Sequence, residues 1–304
     1  MRRGRIVATV TTVIETRNLI KSFGRTRALD GLDLSVEQGE VHGFLGPNGA
    51  GKTTTIRVLL GLLKADSGTA TLLGANSWTD IESIHRRIAY VPGDVTLWPN
   101  LTGGEVIDLL GRLRGDLDKD RRAVLLERFD LDPTKKCRSY SKGNRQKVAL
   151  VAALASRAEV FLLDEPTAGL DPLMEAVFSD VARDLKHDGR TILLSSHILS
   201  EVERLSDRIS IIRAGKIVEV GTLGEMRKLH TTTISAVVRG PVPSLDTMPG
   251  VTGLTRDGNH VHFNVDPDNL DTAIVAIGAA GLDSLVSEPP TLEQLFLSKY
   301  EGAK

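Results

Sequence analysis

The sequence predicts an α/β protein: a mostly parallel sheet with flanking helices, a helical subdomain inserted into it, and a small C-terminal α+β domain. Three observations predict this. Strand-like and helical apolar segments alternate from about residue 14 to residue 220. A glycine-rich run, Gly46 to Thr54 (GPNGAGKTT), stands between a short apolar strand and a helical pattern. Beyond Leu229 the composition shifts to threonines, prolines and short alternating segments.

The elements follow in order. An opening β segment covers Ile14 to Val36, with turns expected near Gly24 and Gly31. Glu40 to Leu45 reads as a buried strand. A helix starts near Lys52 and continues through Ile56, Leu59, Leu60 and Leu63. Thr69 to Leu73 and Ile88 to Val91 are short apolar segments. From Thr102 the pattern turns helical, with Thr102 and Glu105 as a capping-box pair ahead of Val106, Ile107, Leu109 and Leu110. A second helix carries Val124, Leu125, Leu126 and Phe129, and a third covers Lys142 to Ser156. Together they make a helical subdomain at about 98–157. Buried strands Val160 to Leu163 and Thr191 to Leu194 flank a helix from Pro172 to Lys186, with proline at its start and Gly189 after its end. Ala214-Gly215 is a hairpin signal. The larger domain is expected at 14–230 and the smaller at 231–304. In the smaller domain Thr231-Thr232-Thr233, Pro241, Pro243 and Pro249 mark a linker or loops. His260 to Val265 alternate as a strand, and a helix lies near Leu270 to Ala279.

Composition excludes several classes. A chain of 304 residues, 41% hydrophobic and 25% charged, suffices for two globular domains. Its net charge of −1 gives no global attraction to nucleic acid. The single cysteine, Cys137, excludes an internal disulfide and a cysteine-rich metal site. Arg2, Arg3 and Arg5 precede an apolar run interrupted by threonines, which makes a poor signal peptide. No stretch approaches the ~20 apolar residues that span a bilayer, so a membrane role needs another chain.

Four groups of residues carry chemistry. In Gly46, Pro47, Asn48, Gly49, Ala50, Gly51, Lys52, Thr53 and Thr54, glycines allow the backbone to aim several N–H groups at one point, and a helix N-terminus faces the same point. That geometry holds a polyphosphate, with Lys52 on the β/γ-phosphates and Thr53 on Mg2+. The competing reading is a chance glycine-rich turn, and the flanking strand and helix argue against it. Second, Phe161-Leu162-Leu163 ends in Asp164 and Glu165. Beside a phosphate loop, Asp164 is placed to hold Mg2+ and Glu165 to orient an attacking water. Third, Ser195-Ser196-His197 follows a buried strand. Parallel sheets place ligands at strand C-termini, so His197 falls near the same site. Fourth, Tyr140 to Gln146 opens a helix with Ser141 and Gly143, a weak anion signal by itself.

Together these residues resemble the ATP-binding cassette subunit of ABC transporters, over Ile14 to about Gly221. GPNGAGKTT is similar to the Walker A loop, FLLDEP to Walker B with a catalytic Glu165, and SKGNRQ to the signature. Ala168-Gly169-Leu170-Asp171 resembles the D-loop and His197 the switch histidine, and Phe23 sits where the family stacks an aromatic on adenine. The resemblance implies a P-loop cassette with a RecA-like core, in which two subunits clamp two ATP molecules. Walker A of one chain then faces Ser141 and Gly143 of the other, and Asp171 of the D-loop is a further nucleotide-binding residue. Two positions depart from the pattern. Gly93 replaces the usual glutamine after the Ile88–Val91 strand, which leaves Asp94 as a candidate Mg2+ ligand. Tyr140 and Lys142 replace the usual Leu and first Gly of the signature.

These variants, the C-terminal domain and the Pro290 to Phe296 segment resemble ATPase subunits of ABC-2-type antibiotic and multidrug exporters of the tetronasin or daunorubicin resistance type in actinobacteria. The expected function is Mg2+-dependent ATP hydrolysis by a homodimer that drives a separate integral-membrane permease at the cytoplasmic face of the membrane. Residues Asp94 to Asn100, with Trp98, are the expected docking face. The alternative is a nucleotide-gated interaction module with weak hydrolysis. A nucleic-acid or ribosome-bound cassette is disfavoured, because the chain has one cassette and no long coiled coil.

Overall fold

The computed structural model describes residues 11–227, 231–241 and 245–288. The arginine-rich N-terminus, Leu229, Pro243 and the Pro290 to Phe296 segment lie outside the described residues. The chain forms two compact units, 1–220 and 221–304.

The first unit opens with an antiparallel hairpin, β1 (Thr12–Phe23) and β2 (Thr26–Glu37). Gly31 does not turn the chain. Leu19 pairs with Leu32 and Ile20 with Asp30, so Gly31 is the extra residue of a bulge inside β2. β3 (Val41–Leu45) is buried throughout and leads through the glycine-rich loop into α1 (Lys52–Leu59). The helix stops short of Leu63 because the chain turns at Gly61, packed against the Ser77 carbonyl. β4 (Ser67–Leu72), β5 (Ala75–Asn76), α2 (Ile81–His85) and β6 (Ile88–Val91) follow.

The helical subdomain holds α3 (Gly103–Arg114), α4 (Lys119–Arg128) and α5 (Lys142–Leu154). The expected capping box starts α3: Glu105 N donates to Thr102 Oγ1 at 3.2 Å and Thr102 N to Glu105 Oε2 at 2.7 Å. α5 is buried from Gln146 to Leu154, and from Val148 onward it is apolar on every side. Then come β7 (Val160–Asp164), α6 (Pro172–His187), β8 (Thr191–Ser196), α7 (Leu199–Leu205), β9 (Arg208–Arg213) and β10 (Lys216–Gly221).

β2-β1-β4-β5 form an antiparallel sheet, and β10-β9-β3-β8-β7-β6 form the core sheet. In the core sheet β3, β6, β7, β8 and β9 run parallel, so their C-terminal ends share one edge. Successive residues face opposite sides: Phe161 and Leu163 pack with α5 and α6, whereas Val160 and Leu162 pack with α1 and the hairpin.

The second unit contains α8 (Leu223–Arg227), β11 (Thr232–Val238), β12 (Val251–Asp257), β13 (His260–Val265), α9 (Leu270–Ala279) and β14 (Leu282–Glu288). Its antiparallel sheet, β12-β13-β11-β14, closes over α9 through Ile234, Phe263, Ala273 and Ile277. Thr232 and Thr233, expected in a linker, are strand residues paired with Val265 and Asn264. A short β-branched run needs only a paired strand beside it to become one.

Candidate active site

The site assembles where β3, β7 and β8 end. Gly51 precedes α1 at φ +118, and a Cβ there would lie 2.8 Å from the Ala28 carbonyl of β2, so only glycine fits. The same contact sets the β1–β2 hairpin against the loop. Lys52 is buried, and its Nζ donates to Gly46 O at 2.5 Å and Pro47 O at 3.3 Å, curling the ammonium over the loop. Asn48 and Gly49 are exposed at the rim.

Thr53 Oγ1 donates to Asp164 Oδ2 at 2.8 Å, and Ser195 Oγ donates to the other Asp164 oxygen. Two hydroxyls therefore aim a buried carboxylate at the loop. Glu165 follows at φ +49, a left-handed conformation that costs energy for a non-glycine residue and is typical of functional corners. Its backbone N–H donates to Ser195 O at 3.0 Å. Its carboxylate stands between Lys52 Nζ at 3.3 Å and His197 Nδ1 at 2.5 Å. A cleft opens between the loop, Thr53, Thr54 and Glu165.

Lys52, Thr53, Asp164, Glu165 and His197 are thus one cluster. Phe23 ends β1 at the hairpin tip, half-exposed, with Lys21 Nζ 5.7 Å from its ring centre. Ser141 and Asp171 are exposed helix N-caps, accepting from Asn144 N at 3.2 Å and Met174 N at 3.0 Å. Gly143 packs on the Gly169 backbone. None of these three is joined to the Lys52–His197 cluster by a contact among the described residues. Gly93, rather than Asp94, lies beside the acids: a Cβ on it would sit 3.3 Å from Asp164 O and 3.5 Å from Glu165 Cβ. Asp94 is exposed.

Several supporting residues were not expected from sequence. Ser195 holds Asp164, and Ser196 Oγ donates to the buried Glu201 Oε2 at 2.7 Å. Burial holds the Glu201 carboxyl above its ordinary value, and Glu165 and Glu175 push the same way. The one available signal was a pair of hydroxyls ending an otherwise apolar strand. Tyr140 OH donates to Asp132 O at 2.5 Å and lies against Gly103, which accounts for an aromatic at this position.

The Thr53–Asp164 oxygens fit a hard cation, which takes oxygen ligands. Among the described residues no group of three or more His, Cys, Asp or Glu side chains is arranged to hold a metal ion by itself.

A profile of the ABC transporter family matches residues 29–168. The daunorubicin resistance ATP-binding protein DrrA3 of Streptomyces coeruleorubidus is 37% identical over 94% of this chain and 95% of its own length. The chain belongs to the ABC transporter ATP-binding proteins. Another such relative, the bacitracin transport ATP-binding protein BcrA of Bacillus licheniformis, is 38% identical over 72% of each chain. A solved ATP-binding subunit of an ABC transporter superposes with a TM-score of 0.66 at 31% identity, over 71% of this chain and 92% of that one. The α/β architecture with a phosphate loop and inserted helices is the ABC cassette fold, and the chain is an ABC ATPase. This ABC subunit has no helix among its described residues long and apolar enough to cross a membrane.

Proposed function

We propose that this chain is the ATP-hydrolysing subunit of an ABC-2-type exporter of antibiotics or other drugs. Two copies close on two ATP molecules and drive a separate membrane permease at the cytoplasmic face. The observation that carries the hydrolytic part is the Glu165 carboxylate, held between Lys52 and His197 at the mouth of the phosphate loop.

The residues divide the work. The loop N–H groups and Lys52 bind the β- and γ-phosphates. Thr53 and Asp164 would hold Mg2+, which when bound offsets phosphate charge. Glu165 accepts a hydrogen bond from water and aims it at the γ-phosphate. With Glu165 ionised, His197 Nδ1 carries the proton shared between them and fixes the carboxylate, leaving Nε2 for the transferred phosphate. Phe23 offers a ring face to adenine. This intact acid–histidine pair favours turnover over a merely gating role, although Gly93 brings no side chain to the acids.

Export is supported by the resistance and transport relatives and by an apolar groove of about 510 Å³ between the end of β6 and the helical subdomain. Leu62, Leu113 and the half-exposed Trp98 rim it, and Tyr90, Leu97 and Leu110 line it. An exposed apolar groove of this kind suits a helix of a membrane protein. The test is co-expression with a multi-span membrane protein encoded beside this chain. Co-purification and stimulated ATP turnover, both lost in Trp98→Asp while basal turnover remains, are expected. Wild-type stimulation in Trp98→Asp would reject this docking face.

A further inference from the structure

Gln146 lies in α5 five residues after the Ser141 cap and is 2% exposed. Its Nε2 donates to the carbonyl of Pro166, the residue after Glu165, at 2.9 Å. A buried amide is costly unless it is bonded, and the Gln146 side chain bonds outside its own helix, to the catalytic corner.

Two more contacts join the same segments. Gly143 backs so closely onto Gly169 that a Cβ would lie 2.5 Å from the Gly169 carbonyl oxygen. The Lys142 stem, at Cγ and Cδ, lies 3.4 Å from where a Cβ of Gly169 would stand. The first turns of α5 therefore hold the Pro166–Gly169 segment at both of its ends. Glu165 itself keeps a left-handed φ of +49, which persists only where the surroundings over-determine it. Ser195 O fixes its N–H at 3.0 Å, and Gln146 fixes the next carbonyl.

We propose that Gln146 is a positioning residue for Glu165: its buried amide ties the catalytic corner to the helix turn that carries Ser141 and Gly143. The proposal deepens the function above and rests on its two-subunit reading, with Ser141 and Gly143 meeting the nucleotide of a second copy as the family resemblance implies. Closure felt at Ser141 then passes along one helix turn and one hydrogen bond to the carboxylate that aims the water. Hydrolysis depends on this bond, whereas nucleotide binding does not.

The test uses the full chain. Gln146→Met keeps length and burial but removes the donor. Gln146→Glu is isosteric but sets an acceptor against the Pro166 carbonyl. ATP turnover is measured against ATP concentration, and ATP-driven dimerisation is measured by light scattering in the Glu165→Gln background. Both variants are expected to lose ~10- to 100-fold in kcat, the scale of a small misplacement of a catalytic group. KM for ATP is expected to stay within about twofold, and Gln146→Met/Glu165→Gln to dimerise as Glu165→Gln does. Wild-type kcat in either folded variant overturns the proposal. So does a loss of kcat matched by an equal loss of dimerisation, which marks general damage. If Gln146→Met does not fold, Gln146→Glu carries the same comparison. Failure of Glu165→Gln alone to dimerise rejects the two-subunit reading, while the kcat comparison still tests the Gln146–Pro166 link.

Discussion

Thr53 and Asp164 stand 111 residues apart in the chain, and their side-chain oxygens meet at 2.8 Å. One closes the phosphate loop and the other ends a buried strand, so this contact is where two separate signals become a single oxygen site.

Substituting these oxygens is expected to change the requirement for Mg2+. Thr53→Ala and Asp164→Asn should raise the Mg2+ concentration for half-maximal ATP turnover and lower the maximum. Ser195→Ala, which only orients Asp164, should cost ~10- to 100-fold. Turnover titrated with Mg2+ checks all three, and an unchanged titration in Thr53→Ala contradicts the assignment.

Glu201 predicts a pH dependence of stability. Burial raises its folded value above the ordinary carboxyl value, so the folded state holds this proton more tightly than the unfolded chain does. The contribution to stability is fully present below the unfolded value, ~4.3, and is lost as pH rises through the raised folded value. Glu201→Gln should therefore be more stable than wild type at pH 8, and the difference should shrink toward pH 4. Urea denaturation at the two pH values measures this.

Gly103 and Tyr140 predict a coupled pair. A Cβ at position 103 would lie 2.5 Å from the Tyr140 hydroxyl, so Gly103→Ala should cost about 1–3 kcal/mol by overpacking. Tyr140→Leu should relieve most of that cost in the double variant. Denaturant unfolding of the four proteins gives the coupling energy, and simple additivity would contradict the contact.

How much of this was legible in the sequence depended on range. Lys52, Asp164 and His197 could be placed together because each follows a buried strand, and parallel strands put their C-terminal ends on one edge. The Thr102–Glu105 cap was legible because it is local. Gly31 read as a turn because glycine marks bulges and turns alike, and only its pairing with β1 decides between them. β5, two residues long, has no period to detect. The Gln146–Pro166 and Tyr140–Asp132 bonds join segments that no local pattern brings together.

The central claim is that Glu165, held at 2.5 Å by His197 and at 3.3 Å by Lys52, aims the water that cleaves ATP. Single-turnover cleavage of ATP by wild type and Glu165→Gln tests it most directly. The account predicts that Glu165→Gln binds ATP and dimerises but cleaves it at least ~100-fold more slowly, on the scale of general-base removal. Cleavage at the wild-type rate would contradict it.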